Sequence, residues 1–110
     1  MLEEAKKALR VTVNDYDDEI ARLLTAGANE LTTLGVVLPG AVTITENEYG
    51  VITDTSTLTD ALAMQAIITY AALRFGNPPN YDKLLRAWEE QKGLLMHANA
   101  YTNYGGGGTA

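Results

Sequence analysis

The chain has 110 residues, of which 46% are hydrophobic and 20% are charged, and it contains no cysteine. This length is typical of one domain with a single core, and the lack of thiols excludes disulfides and thiolate metal sites. With 14 acidic residues against 8 basic ones, the net charge of −6 argues against a protein that grips nucleic acid, because phosphate binding depends on Lys and Arg.

The sequence contains no recognisable membrane-spanning helix and no recognisable secretion signal. The most apolar run, residues 61–73, lies between Asp60 and Arg74 and is shorter than the roughly 20 residues that a spanning helix needs. The N-terminal MLEEAKKALR has no apolar stretch behind its charges, so no signal peptide is expected. We therefore expect a soluble protein with no membrane partner.

Two helices are predicted before residue 35. Leu2, Ala5 and Leu9 share one face of a short helix over residues 2–9, and β-branched residues follow it. Apolar residues at helical spacing predict a second helix over residues 16–34. Either Asn14 or Asp15 is expected to cap its start, and Gly35 to end it. Its small residues Gly27 and Ala28 would permit close approach of another helix or of a neighbouring subunit.

Residues 36–57 change from helical periodicity to alternation. Val42 and Ile44 alternate with threonines, and a second β-prone run follows the turn-rich ENEYG. This pattern predicts a β-hairpin over residues 41–54.

A third helix is predicted over residues 58–75, beginning at Thr57 or Thr59, and it is apolar on nearly every side. Such a helix is either buried at the centre of the fold or meets a neighbouring subunit as well, for which Met64 and Ile68 are candidates.

A fourth helix is predicted over residues 81–98, with Asn80 as its cap and Trp88 as a core anchor. The predicted fold class is therefore mainly α, a small four-helix bundle with an inserted β-hairpin and an extended C-terminal tail. We expect residues 1–99 to form the helical domain, with the hairpin insertion at about 36–57, and residues 100–110 to form a flexible docking tail.

Catalytic and metal-binding patterns are weak. Asp15, Asp17 and Glu19 have the spacing of a calcium loop, but Ile20 occupies the position of the required turn glycine. The single histidine, His97, and the single serine, Ser56, lie in no recognisable nucleophile context. We therefore assign no catalytic residue, cofactor or metal, and we expect His97 to face solvent.

Three segments together resemble tailed-phage head–tail connector proteins, which are also called adaptor or head-completion proteins. LEEAKKALRV followed by NDYDDEIARLLTAGANEL is similar to their N-terminal half. ALAMQAIITYAALRFGNPPNYDKLLRAWEEQKGLL resembles their long apolar helix, turn and Tyr-x-x-Leu-Leu helix, and HANAYTNYGG resembles their tyrosine-bearing ending. The resemblance covers roughly residues 1–35 and 58–105 and leaves out the hairpin.

The resemblance implies a structural virion protein at the head–tail junction, made in the host cytoplasm. Such adaptors form a ring, typically of twelve copies, beneath the portal protein. They extend the DNA channel, through which DNA passes without specific binding, and dock the next tail or neck-completion protein. No active site comes with the family.

The C-terminal tail is the predicted partner-binding segment for the portal or an adjacent subunit. Two tyrosines offer large anchors with few side-chain torsions, and glycines let the backbone lie close to a partner. The candidate residues are Tyr101, Thr102, Asn103, Tyr104, Gly105 and Gly106.

Two other functions remain open from the sequence. A free-standing acidic interaction module, such as an inhibitor that mimics nucleic acid, would present its acids as one dense exposed face. A small hydrolase would need two converging carboxylates in a deep pocket.

Overall fold

A computed structural model describes residues 1–98, which form four helices and one hairpin. The predicted mainly α bundle with an inserted hairpin is confirmed over this range, and the predicted tail lies outside it. None of the helices described is long and apolar enough to cross a membrane. The elements are α1 (Leu2–Leu9), α2 (Asp17–Thr33), β1 (Ile44–Glu46), β2 (Ile52–Asp54), α3 (Ala61–Arg74) and α4 (Tyr81–His97).

Helix α3 lies at the centre of the fold and packs against α1, α2 and α4. Its uniformly apolar sequence predicted this central place. Helices α2 and α3 run antiparallel, because Tyr16 contacts Phe75 edge-to-face while Gly27, further along α2, lies against the earlier residue Tyr70. The same Tyr70 ring also meets Trp88 of α4, with ring centroids 5.2 Å apart.

Two of the predicted helix caps are wrong. Helix α2 begins after Tyr16 with no side-chain cap, because the Asn14 side chain accepts a hydrogen bond from Lys6 Nζ at 2.8 Å instead. Helix α3 is capped by Asp60, whose carboxylate accepts from the Ala63 N–H at 3.0 Å, and not by Thr57 or Thr59. An acidic side chain at this position also complements the positive end of the helix dipole.

The predicted cap position of α4 and the predicted glycine at the end of α2 agree with the structure. Asn80 occupies the N-cap position of α4, although its side chain makes no capping hydrogen bond. Gly35 and Gly76 follow α2 and α3 with φ of 95° and 65°, a left-handed conformation that glycine adopts without steric cost.

The hairpin is a two-stranded antiparallel sheet in which Thr45 lies opposite Thr53. Backbone pairing extends beyond both strands, since the Thr55 N–H donates to Thr43 O at 2.8 Å and the Asn47 N–H to Val51 O at 3.0 Å. Strand β1 lies beside α2, so the hairpin covers part of the outer face of that helix.

Gly27 and Gly93 provide a matched test of the packing between α2 and α3. A Cβ at Gly27 would lie 3.0 Å from the Tyr70 ring, whereas one at Gly93 would have no atom within 4 Å. We expect Gly27→Val to lower the free energy of unfolding by about 1–3 kcal/mol through overpacking. Gly93→Ala should raise it by about 0.5–1 kcal/mol through helix propensity. Urea denaturation measures both changes, and an unchanged stability for Gly27→Val would show that this contact is not tight.

Candidate assembly surfaces

The four residues predicted to pack between subunits have different environments. Gly27 and Ala28 are buried within the chain, where Gly27 lies against Tyr70. Met64 and Ile68, on α3, are half-buried and retain apolar surface that the described chain does not cover. Of the four, only this α3 pair has side chains left available to a neighbour, and their role there remains a prediction. The six candidate residues of the tail lie outside the described residues.

A groove that the sequence did not reveal runs between α2 and the hairpin. Its first part is a cavity of 640 Å³ with Arg22 and Thr25 of α2 on one wall and Ile44 and Ile52 of the hairpin on the other. A second cavity of 600 Å³ continues past Asn29, which lines both. We call the two together the α2–β1 groove. The second part is lined by Ala28, Asn29, Thr32, Gly35, Val36, Val37, Leu38, Gly40, Ala41 and Val42.

Asp54, the last residue of β2, links the hairpin to the start of α1 and so holds this strand in place. Its carboxylate accepts from the Leu2 N–H at 2.8 Å and from the Ser56 N–H at 3.0 Å, and it pairs with the Met1 ammonium at 2.9 Å. Partial burial favours the protonated form, but hydrogen bonds from Leu2, Ser56 and the ammonium outweigh it and hold the pKa of Asp54 well below its usual value.

The lowered pKa of Asp54 predicts a pH dependence of stability. A carboxylate with a depressed pKa stabilises the fold above its ordinary value, near 4, and this stabilisation is lost as pH falls below that value. We therefore expect the wild type to lose more thermal stability between pH 6 and pH 3 than Asp54→Asn, which has no charge to lose. Melting curves at both pH values test this, and equal losses in the two proteins would contradict it.

The negative charge is concentrated in one half of the molecule. Residues 1–58 carry ten of the 14 acidic residues but only four of the eight basic ones, so residues 59–110 carry four of each. Asp15, Asp18 and Glu46 line a depression between the start of α2 and the hairpin turn. Helix α1 carries two acids and two lysines, so the excess negative charge lies on α2, the residues just before it and the hairpin. We call this part of the subunit its acidic half, and α3 with α4 its electrically balanced half.

Part of this acidic surface is neutralised by ion pairs. Lys6 Nζ lies 2.8 Å from Asp17 Oδ1, and Arg22 lies 3.2 Å from Asp18. The acids are thus interleaved with cations at the start of α2, which differs from the dense, unpaired acidic face expected of a nucleic-acid mimic.

The serine and the histidine considered for catalysis lie on different parts of the fold, Ser56 just after β2 and His97 in α4. Ser56 Oγ accepts a hydrogen bond from the Thr43 N–H at 2.9 Å and so extends the hairpin ladder. His97 is exposed in the last turn of α4, as predicted, and Trp88 is a core residue with 3% of its surface exposed. Within residues 1–98, no three histidine or acidic side chains converge on a point that could hold a metal ion.

Comparison with known proteins identifies the family. The sequence model of a family described as phage connector protein matches residues 1–104, which includes the hairpin that the motif resemblance left out. No curated protein and no solved structure matches the chain. The chain therefore belongs to the phage connector family, and the resemblance to head–tail connectors is confirmed.

Proposed function

We propose that this connector assembles as a closed ring beneath the portal, where it extends the DNA channel and docks the next neck or tail protein. The observation that carries the proposal is the family match, which spans residues 1–104 and so takes in the helical domain, the hairpin and both tail tyrosines. A ring of twelve copies is the number that the head–tail connector resemblance implies.

The two unlike sides of the subunit support a ring built from side-to-side contacts. A heterologous contact joins one surface patch to a different patch on the next copy, and it closes into a ring when the rotation between copies fits. Here the α2–β1 groove lies on the acidic half, whereas α4 belongs to the balanced half. Met64 and Ile68 are the α3 residues that we propose pack against a neighbour.

The tail is the proposed attachment segment. Ordering glycines costs much backbone entropy, so residues 100–110 need a partner surface that compensates for it. Tyr101 and Tyr104 supply the anchors, and Thr102, Asn103, Gly105 and Gly106 supply backbone that can lie close to the portal or to the adjacent subunit.

The net negative charge of the acidic half fits the wall of a channel through which DNA moves without binding, because like charges repel. We expect the purified protein to bind duplex DNA negligibly at physiological salt. Its few Lys and Arg side chains can displace only a few of the counterions that surround the phosphates. A gel-shift titration tests this expectation. Micromolar affinity at that salt would contradict the proposed channel wall.

Co-elution with the portal tests the proposed function. We expect the purified connector, mixed with portal rings, to elute with them in size-exclusion chromatography at a stoichiometry of one copy per portal subunit. The protein alone is expected to remain smaller if the portal acts as the template for the ring. Separate elution of the two proteins at all mixing ratios would contradict the proposal.

A further inference from the structure

Along the α2–β1 groove, the outer edge of β1 carries backbone groups that have no hydrogen-bond partner among residues 1–98. Because Thr43 and Asn47 bond to the partner strand, the alternation of an antiparallel ladder turns the N–H and C=O groups of Val42, Ile44 and Glu46 away from it. Within residues 1–98, no acceptor receives a hydrogen bond from these three N–H groups. An open edge of this kind is a template for an added strand.

The opposite wall of the groove carries the ion pair of Asp18 and Arg22 near one end and small or neutral side chains along the rest. Ala21, Thr25 and Ala26 line the first cavity, and Ala28 and Thr32 line the second. From Asp18 to Thr32 the helix spans roughly 21 Å at a rise of 1.5 Å per residue. An extended segment of about six or seven residues covers that length. The groove therefore has the size and the bonding groups for one short strand.

The C-terminal segment of the chain fits such a groove in length and in charge. The twelve residues 99–110 exceed the required length, and none of them is charged. Asp18 and Glu46 lie at one end of the groove, so an uncharged segment enters without repulsion where an acidic one would be repelled. Its run of glycines permits close approach to the β1 edge, and its tyrosines can cover the apolar side chains of Ile44 and Ile52.

We propose that the C-terminal segment of one subunit adds as a strand to the β1 edge of a second copy, within the α2–β1 groove. This inference rests on the proposed ring and assigns the tail to the adjacent subunit, so that each copy is fastened to the next. Backbone hydrogen bonds to Val42, Ile44 and Glu46 supply the affinity. The small residues of α2 admit the side chains that face the helix.

Cross-linking between engineered cysteines tests the proposal cleanly, because the natural chain has no cysteine. Asn29→Cys places a thiol where both cavities meet, and Asn103→Cys places one in the tail. We expect equal amounts of the two single variants, assembled on portal rings and oxidised, to give disulfide-linked heterodimers. Mass spectrometry of the linked peptides identifies them. The double variant should give a ladder of covalent oligomers, and pairing Asn103→Cys with the exposed α4 variant Arg86→Cys should give none.

A second pair of variants tests the strand pairing itself. Glu46→Pro removes an N–H that points away from the ladder, a position at which an edge strand tolerates proline. Glu46→Ala removes the same side chain and keeps the N–H. We expect the cross-link to fall several-fold in the background of Glu46→Pro and to stay unchanged in that of Glu46→Ala. Equal cross-linking in both backgrounds would overturn the strand pairing.

The outcomes separate this inference from the proposed function. Rings that form on the portal without any link between positions 29 and 103 would overturn the groove as the tail site and leave the ring intact. A disulfide that forms only within single chains of the double variant would show that the tail occupies its own groove, and would overturn the exchange between subunits. Failure of the wild-type chain to form rings with the portal would overturn the proposed function, and this inference with it.

Discussion

Deletion of residues 100–110 should abolish co-elution of the connector with the portal while the helical bundle remains as stable as before. The cluster of buried core residues among residues 1–98 runs from Leu2 to Leu95 and includes residues of all four helices. We therefore expect the deletion to remove docking contacts and to leave these core residues in place. Thermal melting and size-exclusion chromatography with portal rings measure the two properties on the same sample.

Substitutions at the tail tyrosines separate anchoring from chain length. We expect the double change Tyr101→Ala and Tyr104→Ala to weaken attachment at least tenfold, because both aromatic anchors are lost. The matched double change Tyr101→Phe and Tyr104→Phe retains both aromatic side chains and should weaken attachment to the portal far less. If the truncated chain still joins portal rings like the wild type, the tail is not the attachment segment.

Trp88→Ala should lower the free energy of unfolding by about 3–5 kcal/mol, the range for truncation of a large buried aromatic residue. Trp88 is 3% exposed and packs edge-to-face on Tyr70, which in turn lies against Gly27. The change thus opens a cavity in the contact of α3 with α4 and loosens its contact with α2. Urea denaturation followed by circular dichroism measures the loss.

A control on the same helix distinguishes this core contact from helix propensity. Leu94 of α4 is 54% exposed, so Leu94→Ala should change stability by about 0.5 kcal/mol or less. Equal losses for the two variants would contradict the central place of the contact between Tyr70 and Trp88.

The helices could be predicted from the sequence because each depends on a local pattern. Helix α1 spans Leu2–Leu9 as predicted, and α4 ends at His97, one residue before the predicted end. The glycines after α2 and α3 also depend on a local property, since each follows the helix end in a left-handed backbone conformation that few other residues adopt.

The two wrong predictions of helix caps depended on side-chain contacts that residue type does not reveal. Asn14 is a good cap by residue type, but Lys6 of the preceding helix takes its side-chain oxygen. The start of α3 was predicted at Thr57 or Thr59, but the carboxylate of Asp60 reaches the Ala63 N–H and caps the helix. Residue type alone could not rank them.

The groove could not be predicted because it exists only between elements far apart in the chain. In the sequence, Thr25 and Asn29 occupy ordinary polar positions of a predicted helix, and Ile44 lies in a predicted hairpin. Their common role arises because β1 lies beside α2. The small residues of α2 did signal a close approach, although the structure shows that Gly27 meets α3 of its own chain.

Electron microscopy of the connector bound to its portal tests the central claim most directly. Class averages viewed along the portal axis should show a closed ring of connector subunits with cyclic symmetry and an open channel. Residues of the acidic half, such as Asp15 and Glu46, should lie nearer to the channel than those of α4. A connector found only as a two-fold dimer, both alone and in the presence of portal, would contradict the account.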